Sequence, residues 1–336
     1  MSIIPVTVPT GAIRYNTDSN KMECFNGTKW MQVSVSESAP NGGRACIGGG
    51  MTPSTSNEIQ YVTIATQGNA IEFGDLTRSS GLLAGCSSAI RGLWGGDHPS
   101  AANTIDYVTI ATTGNAVDFG DLTRTVYNAD ACGSRTRGVF MGGHNPTAQD
   151  TIDYVTYTST GDATDFGNLS EAIWATACCS SPTRGFSCLG NNNPSPNNIN
   201  TIQYITIAAT GNAQDFGDSA ANTGGNIYAT SNNIRGIVGG GHPGTACVNI
   251  IEFFTMATLG NTQDFGDTST EVYVAEASSS PIRGIIVGGQ TTSPTHAKTN
   301  RIEYITFTTT GDTTDFGDLT TAKHTPQTVS NSNGGL

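Results

Sequence analysis

The sequence predicts an all-β protein built as a six-bladed β-propeller, and three observations carry that prediction. A cassette of IEFGDL-like and YVTIAT-like segments returns six times, anchored at Ile59, Ile105, Ile152, Ile202, Ile251 and Ile302. The anchors lie 46, 47, 50, 49 and 51 residues apart, a period typical of propeller blades. The chain has 42 Gly in 336 residues and only 12% charged residues, a composition that fits tight turns between short strands.

Each cassette predicts four short strands. In the second full copy these are residues 126–132, 138–143, 152–158 and 165–169. The third strand is apolar on both alternating faces, which fits a sheet packed between two neighbours. A turn with Gly followed by Asn or Asp comes after it in every copy, in four of them as T-x-G-[ND], and predicts a tight hairpin to the fourth strand. The connections between the second and third strands are longer and rich in Pro, Asn, Ser and Thr.

Two segments compete for the strand that closes the ring. Residues 44–50 match a second strand but have no preceding cassette, and the chain stops where a seventh second strand would begin. Residues 325–333 are therefore expected to supply the missing first strand, which removes an exposed sheet edge. Residues 33–38 align with residues 272–277 and are the alternative.

Residues 1–40 do not match the cassette and predict a separate β-meander. Alternating stretches at 12–15 and 21–25 flank a polar turn, and a third stretch at 29–33 follows Asn26-Gly27. A meander of this size has no core of its own. It is expected to pack on a partner or on another copy of the chain, while residues 41–336 form the propeller.

Charge, hydropathy and cysteine usage narrow the function classes. The net charge of −12 argues against nucleic-acid binding, which needs a basic face. No signal peptide and no apolar run of membrane-spanning length are recognised. Cys86, Cys132 and Cys179 share one cassette position and are expected to be free, buried thiols of a protein made in a reducing cytosol.

The cassette resembles the Kelch-type propeller repeat. Glycine pairs such as Gly95-Gly96 and Gly142-Gly143 match the diglycine of that family, and Tyr107 matches its third-strand aromatic. Asp-Phe-Gly-Asp replaces the later Tyr and Trp of the family, so the resemblance implies the fold rather than an activity.

Two further segments resemble virion proteins of tailed bacteriophages. The G-x-I-R-Y-N…G-T-x-W stretch at 11–30 is similar to tail-fibre segments, and IDYVTIATTGNAVDFGDLT is similar to repeats in virion proteins of phages that infect cyanobacteria and marine bacteria. The resemblance implies a virion component made in the host cytoplasm. Its N-terminal module would attach to other virion proteins or form a homo-oligomer, and its propeller would be displayed on a tail fibre or other appendage.

Periodic charges predict ion pairs between blades. An Arg precedes a Gly at Arg91, Arg137, Arg184, Arg235 and Arg283, and Arg44 holds the equivalent position before Ala45. Bidentate pairing with acids of the fourth strand would satisfy both charges. We expect Arg91, Arg137, Arg184, Arg235 and Arg283 to pair with Asp118, Asp165, Asp215, Asp264 and Asp315. The alternative is a ring of arginines that grips an anionic ligand.

The residues predict no metal site, no cofactor site and no enzymatic activity. The Asp-rich segments lack the bidentate Glu of a calcium loop. His98, His144 and His242 occupy similar loop positions, which are too far apart around a six-fold ring to share one ion. No Ser or Cys nucleophile has a recognisable base, and no pair of carboxylates is favoured for hydrolysis.

Binding is the expected use of the loops. Variable loops on a rigid scaffold commonly carry recognition, and aromatic side chains among Asn, Ser and Thr suit sugar stacking. The candidate ligand-binding residues are Tyr127, Trp174, Tyr228, Tyr273, His98, His144 and His242. The alternative is that these aromatics only plug the mouth of the ring.

The expected function is a non-enzymatic virion protein that displays a propeller for host-surface glycan recognition. A purely structural or decorating virion part, a cellular glycan-binding propeller and a glycan hydrolase are the alternatives.

Overall fold

The computed structural model describes residues 8–16, 21–32, 43–192, 197–221, 223–244, 246–292, 295–333 and 336. In these residues the chain contains β-strands and no helix, arranged in seven antiparallel sheets of three or four strands. The chain divides into two compact units, Met1–Pro40 and Asn41–Leu336.

The first unit is a three-stranded sheet. It consists of β1 (Ile13–Asn16), β2 (Lys21–Phe25) and β3 (Trp30–Gln32), in that order. The side chain of Asn26 forms the turn between the last two strands, because its Oδ1 accepts hydrogen bonds from Thr28 N at 3.0 Å and Lys29 N at 2.9 Å. An Asn that bonds the backbone in this way stabilises a tight turn.

The second unit contains six four-stranded sheets. Sheet 1 has β4 (Arg44–Gly48), β5 (Ser56–Thr63), β6 (Ile71–Ser80) and, as its first strand in space, β27 (Gln327–Ser330). Sheet 2 has β7 (Ala84–Ser87), β8 (Arg91–Gly95), β9 (Ala102–Thr109) and β10 (Val117–Val126). Sheet 3 has β11 (Asp130–Gly133), β12 (Arg137–Met141), β13 (Gln149–Thr156) and β14 (Thr164–Ile173).

The remaining three sheets repeat the same order. Sheet 4 has β15 (Ala177–Ser180), β16 (Arg184–Asn192), β17 (Asn197–Thr206) and β18 (Gln214–Asp218). Sheet 5 has β19 (Tyr228–Ser231), β20 (Arg235–Gly239), β21 (Val248–Thr255) and β22 (Gln263–Val272). Sheet 6 has β23 (Glu276–Ser279), β24 (Arg283–Val287), β25 (Arg301–Thr306) and β26 (Thr314–Asp318).

The first strands of the six sheets contact one another in a closed series. Strand β27 contacts β7, the contacts continue through β11, β15, β19 and β23, and β23 contacts β27 again. The C-terminal strand enters sheet 1 by antiparallel pairing with β4, from Gln327 opposite Gly48 to Ser330 opposite Ala45. The competing segment, residues 33–38, lies outside the described residues. This architecture is consistent with a β-propeller.

The strand bounds differ from the predicted ones most clearly in sheet 3. Strand β11 begins at Asp130 rather than at residue 126, because Asn128 has a left-handed backbone with φ of 55° and interrupts the extended chain. Strand β14 continues to Ile173 rather than ending at 169, since a register shift lets Ile173 pair with Gln149. A β-bulge of this kind bends a strand without ending it.

The Asp-Phe-Gly-Asp segments lock each sheet to the next. In sheet 2, Phe119 O accepts a hydrogen bond from Gly161 N of sheet 3 at 2.7 Å. The backbone N of Asp121 donates to Asp162 Oδ1 at 3.1 Å. Gly120 packs so closely on this turn that a Cβ there would lie 2.5 Å from the Gly161 carbonyl. The side-chain cap recurs at every junction and uses Asn69, Asn115, Asp162, Asn212, Asn261 and Asp312.

The arginines that begin the second strands also bridge consecutive sheets, but not through carboxylates. Arg91 Nη1 donates to Tyr157 O of the next sheet at 2.6 Å, and its guanidinium carbon lies 4.8 Å from the centre of the Tyr107 ring. The others bond backbone carbonyl groups of the next sheet in the same way, namely Arg44, Arg137, Arg184, Arg235 and Arg283. Each also lies over an aromatic ring, a favourable cation–π geometry.

The predicted pairing of these arginines with fourth-strand acids is therefore wrong. Asp118 precedes the buried Phe119, and the alternation of a strand turns the two side chains to opposite faces. All five predicted carboxylates are exposed: Asp118, Asp165, Asp215, Asp264 and Asp315. Among the described residues, none of the five takes part in an ion pair.

Polar side chains of the third strands also join the sheets, through hydrogen bonds and ion pairs. One polar residue of each third strand is buried, with at most 6% exposure: Gln60, Asp106, Asp153, Gln203, Glu252 and Glu303. Asp153 of sheet 3 accepts hydrogen bonds from Thr123 Oγ1 at 2.7 Å and from Arg124 Nη1 at 2.5 Å, both in sheet 2. The sequence carried a signal for this position, because I-x-[YF]-[VIF] places one polar residue in a strand buried on both faces.

Candidate ligand-binding surface

One end of the second unit carries the long connections and is called here the loop end. Each second strand runs towards it and each third strand runs away from it, as the antiparallel registers require. The connections that lead into each first strand emerge at the same end. Strand β4 begins with Arg44 at the opposite end, so the chain enters the second unit away from the loop end.

A hydrogen-bonded rim surrounds the centre of the loop end. It consists of Leu82, Asn128, Ala175, Asn226, Val274 and Thr325, whose φ angles lie between 50° and 61°. The backbone N of each of the last five donates to the carbonyl O of the preceding member at 2.8–3.0 Å. Branched and apolar residues rarely adopt this left-handed conformation, and it persists only where the surroundings enforce it. The rim is thus a strongly constrained part of the fold.

The residue before each rim position is paired with the end of a second strand. Tyr127 O accepts a hydrogen bond from His144 N at 2.8 Å, Trp174 O accepts one from Asn191 N at 2.8 Å, and Tyr273 O accepts one from Gln290 N at 3.0 Å. Backbone pairing on one side and the rim on the other fix the direction in which these aromatic side chains leave the main chain.

Four ring side chains form a continuous series across sheets 2, 3 and 4, called here the aromatic ladder. The ring centres of His98 and Tyr127 lie 5.5 Å apart, those of Tyr127 and His144 5.3 Å, and those of His144 and Trp174 5.5 Å. Tyr127 Oη is hydrogen-bonded to His144 Nδ1 at 2.9 Å. All four side chains are half-buried, so each is held from below and leaves part of its surface to solvent.

The structure separates the seven candidate binding residues into three groups. His98, Tyr127, His144 and Trp174 form the ladder, while His242 and Tyr273 form a separate pair with ring centres 5.3 Å apart. As in the ladder, a histidine that follows a second strand of one sheet contacts an aromatic side chain that precedes the first strand of the next sheet. The sequence located these six residues but did not indicate which of them meet.

Tyr228 does not belong to this surface, and its assignment as a binding residue is wrong. Its side chain is 0% exposed and lies in a core cluster with Ile237, Ile251 and Phe265. It is the first residue of β19 and follows the rim residue Asn226 by two positions, whereas the ladder aromatics precede the rim. A side chain at this position enters the sheet rather than the solvent.

The cations nearest the ladder in the sequence are occupied by internal hydrogen bonds. Arg78 donates to Gly96 O at 2.9 Å and pairs with Asp97 at 3.2 Å. Arg124 donates to Gly142 O at 2.8 Å and pairs with Asp153 at 2.5 Å. The loop segments 96–104 and 142–151 contain no Lys or Arg, so the ladder is flanked by neutral and acidic groups.

A small cavity inside the rim contains two carboxyl groups, Asp130 and Glu276. Asp130 accepts hydrogen bonds from Cys178 N at 2.5 Å and from Gln327 Nε2 at 2.7 Å. Burial raises the pKa of Asp130 to about 7 and raises the pKa of Glu276 well above its usual range. Because Gln327 belongs to β27, this contact also ties the C-terminal strand to sheet 3.

One face of the N-terminal sheet is apolar and carries exposed side chains. Cross-strand partners share a face of a sheet, and Ile13 pairs with Cys24, Cys24 with Met31, and Tyr15 with Met22. Ile13 is 64% exposed and Tyr15 56%. The opposite face carries an ion pair of Arg14 with Glu23 at 2.7 Å and a ring contact of Phe25 with Trp30 at 5.4 Å.

All eight cysteines are free thiols. Within the described residues, no cluster of three or more His, Cys, Asp or Glu could hold a metal ion, and no helix is long and apolar enough to span a membrane. No protein-family model matches the chain, and no curated protein matches it either.

Proposed function

We propose that this chain is a non-enzymatic structural protein of a bacteriophage virion, a tail-fibre or appendage component that displays a propeller for host-surface glycan recognition. The observation that carries the proposal is the aromatic ladder, which is half-buried and fixed by the rim at the loop end. Rings held in this way lose little conformational entropy when a ligand stacks on them. The resemblance of residues 11–30 to tail-fibre segments supports the virion setting.

The finer architecture in this proposal is a six-bladed Kelch-like propeller with each of sheets 1–6 as one blade. The closed series of first strands and the recurring lock between fourth strands support it. Diglycines at the ends of the second strands support the Kelch-like class, because Gly142 and Gly143 have φ angles of 64° and 101°. These are backbone conformations that glycine adopts without strain.

The N-terminal sheet is the attachment module in this proposal, either for other virion proteins or for a homo-oligomer. Ile13, Met22 and Met31 on its apolar face are at least 46% exposed, and so small a sheet gains stability by covering such a face.

Two measurements test this function. Immunogold labelling of intact particles with antibody against residues 44–336 should decorate the tail tip or fibres, and the purified chain should bind host envelope material. Trp174→Ala should weaken that binding by roughly tenfold, as loss of a buried aromatic contact does. Labelling on the head or neck without envelope binding would favour a purely structural or decorating part. Absence of labelling on exposed particles would favour a cellular glycan-binding protein.

A glycan hydrolase is the second candidate, and the cavity carboxyls are the observation that favours it. Hydrolysis needs one protonated and one ionised carboxyl group, and burial raises the pKa of both Asp130 and Glu276. Asp130 is only 5% exposed and is engaged by Cys178 N and Gln327, which favours a structural role. Turnover of host polysaccharide that Glu276→Gln abolishes would establish the hydrolase instead.

A further inference from the structure

The spacing and the setting of the aromatic ladder define a ligand more narrowly than a host-surface glycan. Its four rings succeed one another at 5.3–5.5 Å, a distance close to the length of one pyranose unit in an extended chain. The series crosses three sheets and is open at the surface. It therefore offers repeated contacts along a line rather than a single pocket.

The rings also alternate in orientation. Successive ring planes are inclined by 66°, 46° and 71°, so faces and edges follow each other along the ladder. Ring faces accept the apolar C–H surface of a sugar, and Tyr and His edges exchange hydrogen bonds with hydroxyl groups. His144 Nδ1 is hydrogen-bonded to Tyr127 Oη at 2.9 Å, whereas His98 Nδ1 has no hydrogen-bond partner among the described residues. A chain of hydroxylated rings matches this alternation.

The electrostatic setting excludes strongly anionic chains as the preferred ligand. Recognition of carboxylate, sulfate or phosphate groups uses Arg or Lys side chains that are free to pair. Arg78 and Arg124 are committed to Asp97, Asp153 and backbone carbonyl groups. Exposed Asp150 and half-exposed Glu171 add negative charge nearby. An acidic polysaccharide would meet repulsion here without compensation.

We infer that the aromatic ladder binds a linear, neutral polysaccharide lengthwise, with one sugar unit against each of His98, Tyr127, His144 and Trp174. The inference rests on the proposed function, whose ligand class it narrows. Among the residues that the structure describes, no third ring lies beside the separate pair of His242 and Tyr273. It therefore lies outside the binding line and serves as an internal control.

The test is a binding titration of the full-length chain with linear neutral oligosaccharides. The panel contains glucans, mannans and galactans of one to eight units, with uronic-acid chains of equal length. Affinity for at least one neutral series should rise with length up to four units and then level off, and the acidic chains should bind more weakly. Full affinity for a monosaccharide, or tighter binding of the acidic chains, would overturn the inference.

Variants locate the binding line. Trp174→Ala should weaken binding of the four-unit chain by about tenfold, and Trp174→Phe should restore most of it. His98→Ala should weaken binding of the four-unit chain while leaving a two-unit chain within twofold. Tyr273→Ala, at the equivalent position outside the ladder, should leave both unchanged. An equal loss from Tyr273→Ala and Trp174→Ala would contradict the assignment.

The outcomes also separate this inference from the proposed function. If the chain binds host envelope material but none of the neutral oligosaccharides, the neutral linear ligand is wrong and the recognition role stands. If it binds neither, and particles are not labelled, the recognition role itself fails. Folding of every variant is checked by circular dichroism and the midpoint of denaturant unfolding.

Discussion

Replacing Gly120 by Ala should destabilise the second unit far more than the same replacement at Gly161. Both glycines have similar backbone conformations, with φ angles of 143° and 150°, so both substitutions carry a similar conformational strain. They differ in their surroundings. A Cβ on Gly120 would lie 2.5 Å from the carbonyl of Gly161 and 2.9 Å from Asp162 N, whereas a Cβ on Gly161 would meet nothing within 4 Å.

The extra cost at Gly120 follows from these contacts. The neighbouring atoms are backbone of the next sheet, so the two sheets must separate by about 1 Å to reach an ordinary contact distance near 3.5 Å. Overpacking of this kind costs about 1–3 kcal/mol. Separation also weakens the hydrogen bond from Gly161 N to Phe119 O, which contributes about 1 kcal/mol. Gly120→Ala should therefore exceed Gly161→Ala by about 2–4 kcal/mol.

Denaturant unfolding followed by circular dichroism measures this difference. The two variants are compared at one pH and one protein concentration, and the slope of the transition shows whether the unfolding unit has changed. Equal loss of stability in the two variants would refute the argument that the Asp-Phe-Gly-Asp glycine is required by close packing between sheets. In that case the conformational freedom of glycine alone would explain why the Asp-Phe-Gly-Asp segment has a glycine at this position.

Three further predictions concern charges and one buried ring. Arg91→Leu should cost about 1–2 kcal/mol of unfolding free energy, because it removes a charged hydrogen bond, while Asp118→Asn should change it by less than about 0.5 kcal/mol. Similar losses of unfolding free energy in both variants would support the ion pair between Arg91 and Asp118. Burial raises the pKa of Asp130 from 3.8 to about 7, so the folded state holds a proton that the unfolded state releases. Its contribution to stability is full below pH 3.8 and is lost as the pH rises to about 7. Asp130→Asn should flatten this decline in unfolding midpoints, and an unchanged pH profile would contradict the burial argument. Tyr228→Phe should leave glycan binding unchanged, and weakened binding in a folded variant would return Tyr228 to the binding surface.

The sequence predicted the all-β class correctly because the cassette repeats the two features that define a strand. Third-strand residues such as Ile152 and Val155 alternate through a buried segment, and Gly161-Asp162 ends it with a turn. The bounds of the first strands were less accurate. Val126 and Tyr127 have high strand propensity, but Asn128 adopts a left-handed conformation that the rim imposes. Propensity is local, whereas the rim exists only when the loops of neighbouring sheets meet.

Charge pairing failed for a related reason. Arg91 and Asp118 recur with the same period, and the period alone does not say which face of a strand a side chain occupies. Applying the alternation from Phe119 would have turned Asp118 outwards. The same reasoning would have identified Asp153 as a buried acid, since it lies between Ile152 and Tyr154 in a strand packed on both sides.

The ladder could not be derived from the cassette, because it depends on where the repeats differ. Tyr127 and Trp174 stand at the position that Gly81 and Gly225 occupy in other copies, and Asn191 stands where His144 has an imidazole. Equivalent backbone pairing is thus present around the loop end. The side chains at the paired positions determine where aromatic rings contact one another in a continuous series. The backbone pairing beside the rim is the same in each repeat and does not depend on the side chain. A substitution at a position that borders the rim therefore lowers the stability of the scaffold little. Ligand specificity can therefore arise from sheets 2–4 alone while the other sheets keep the scaffold closed.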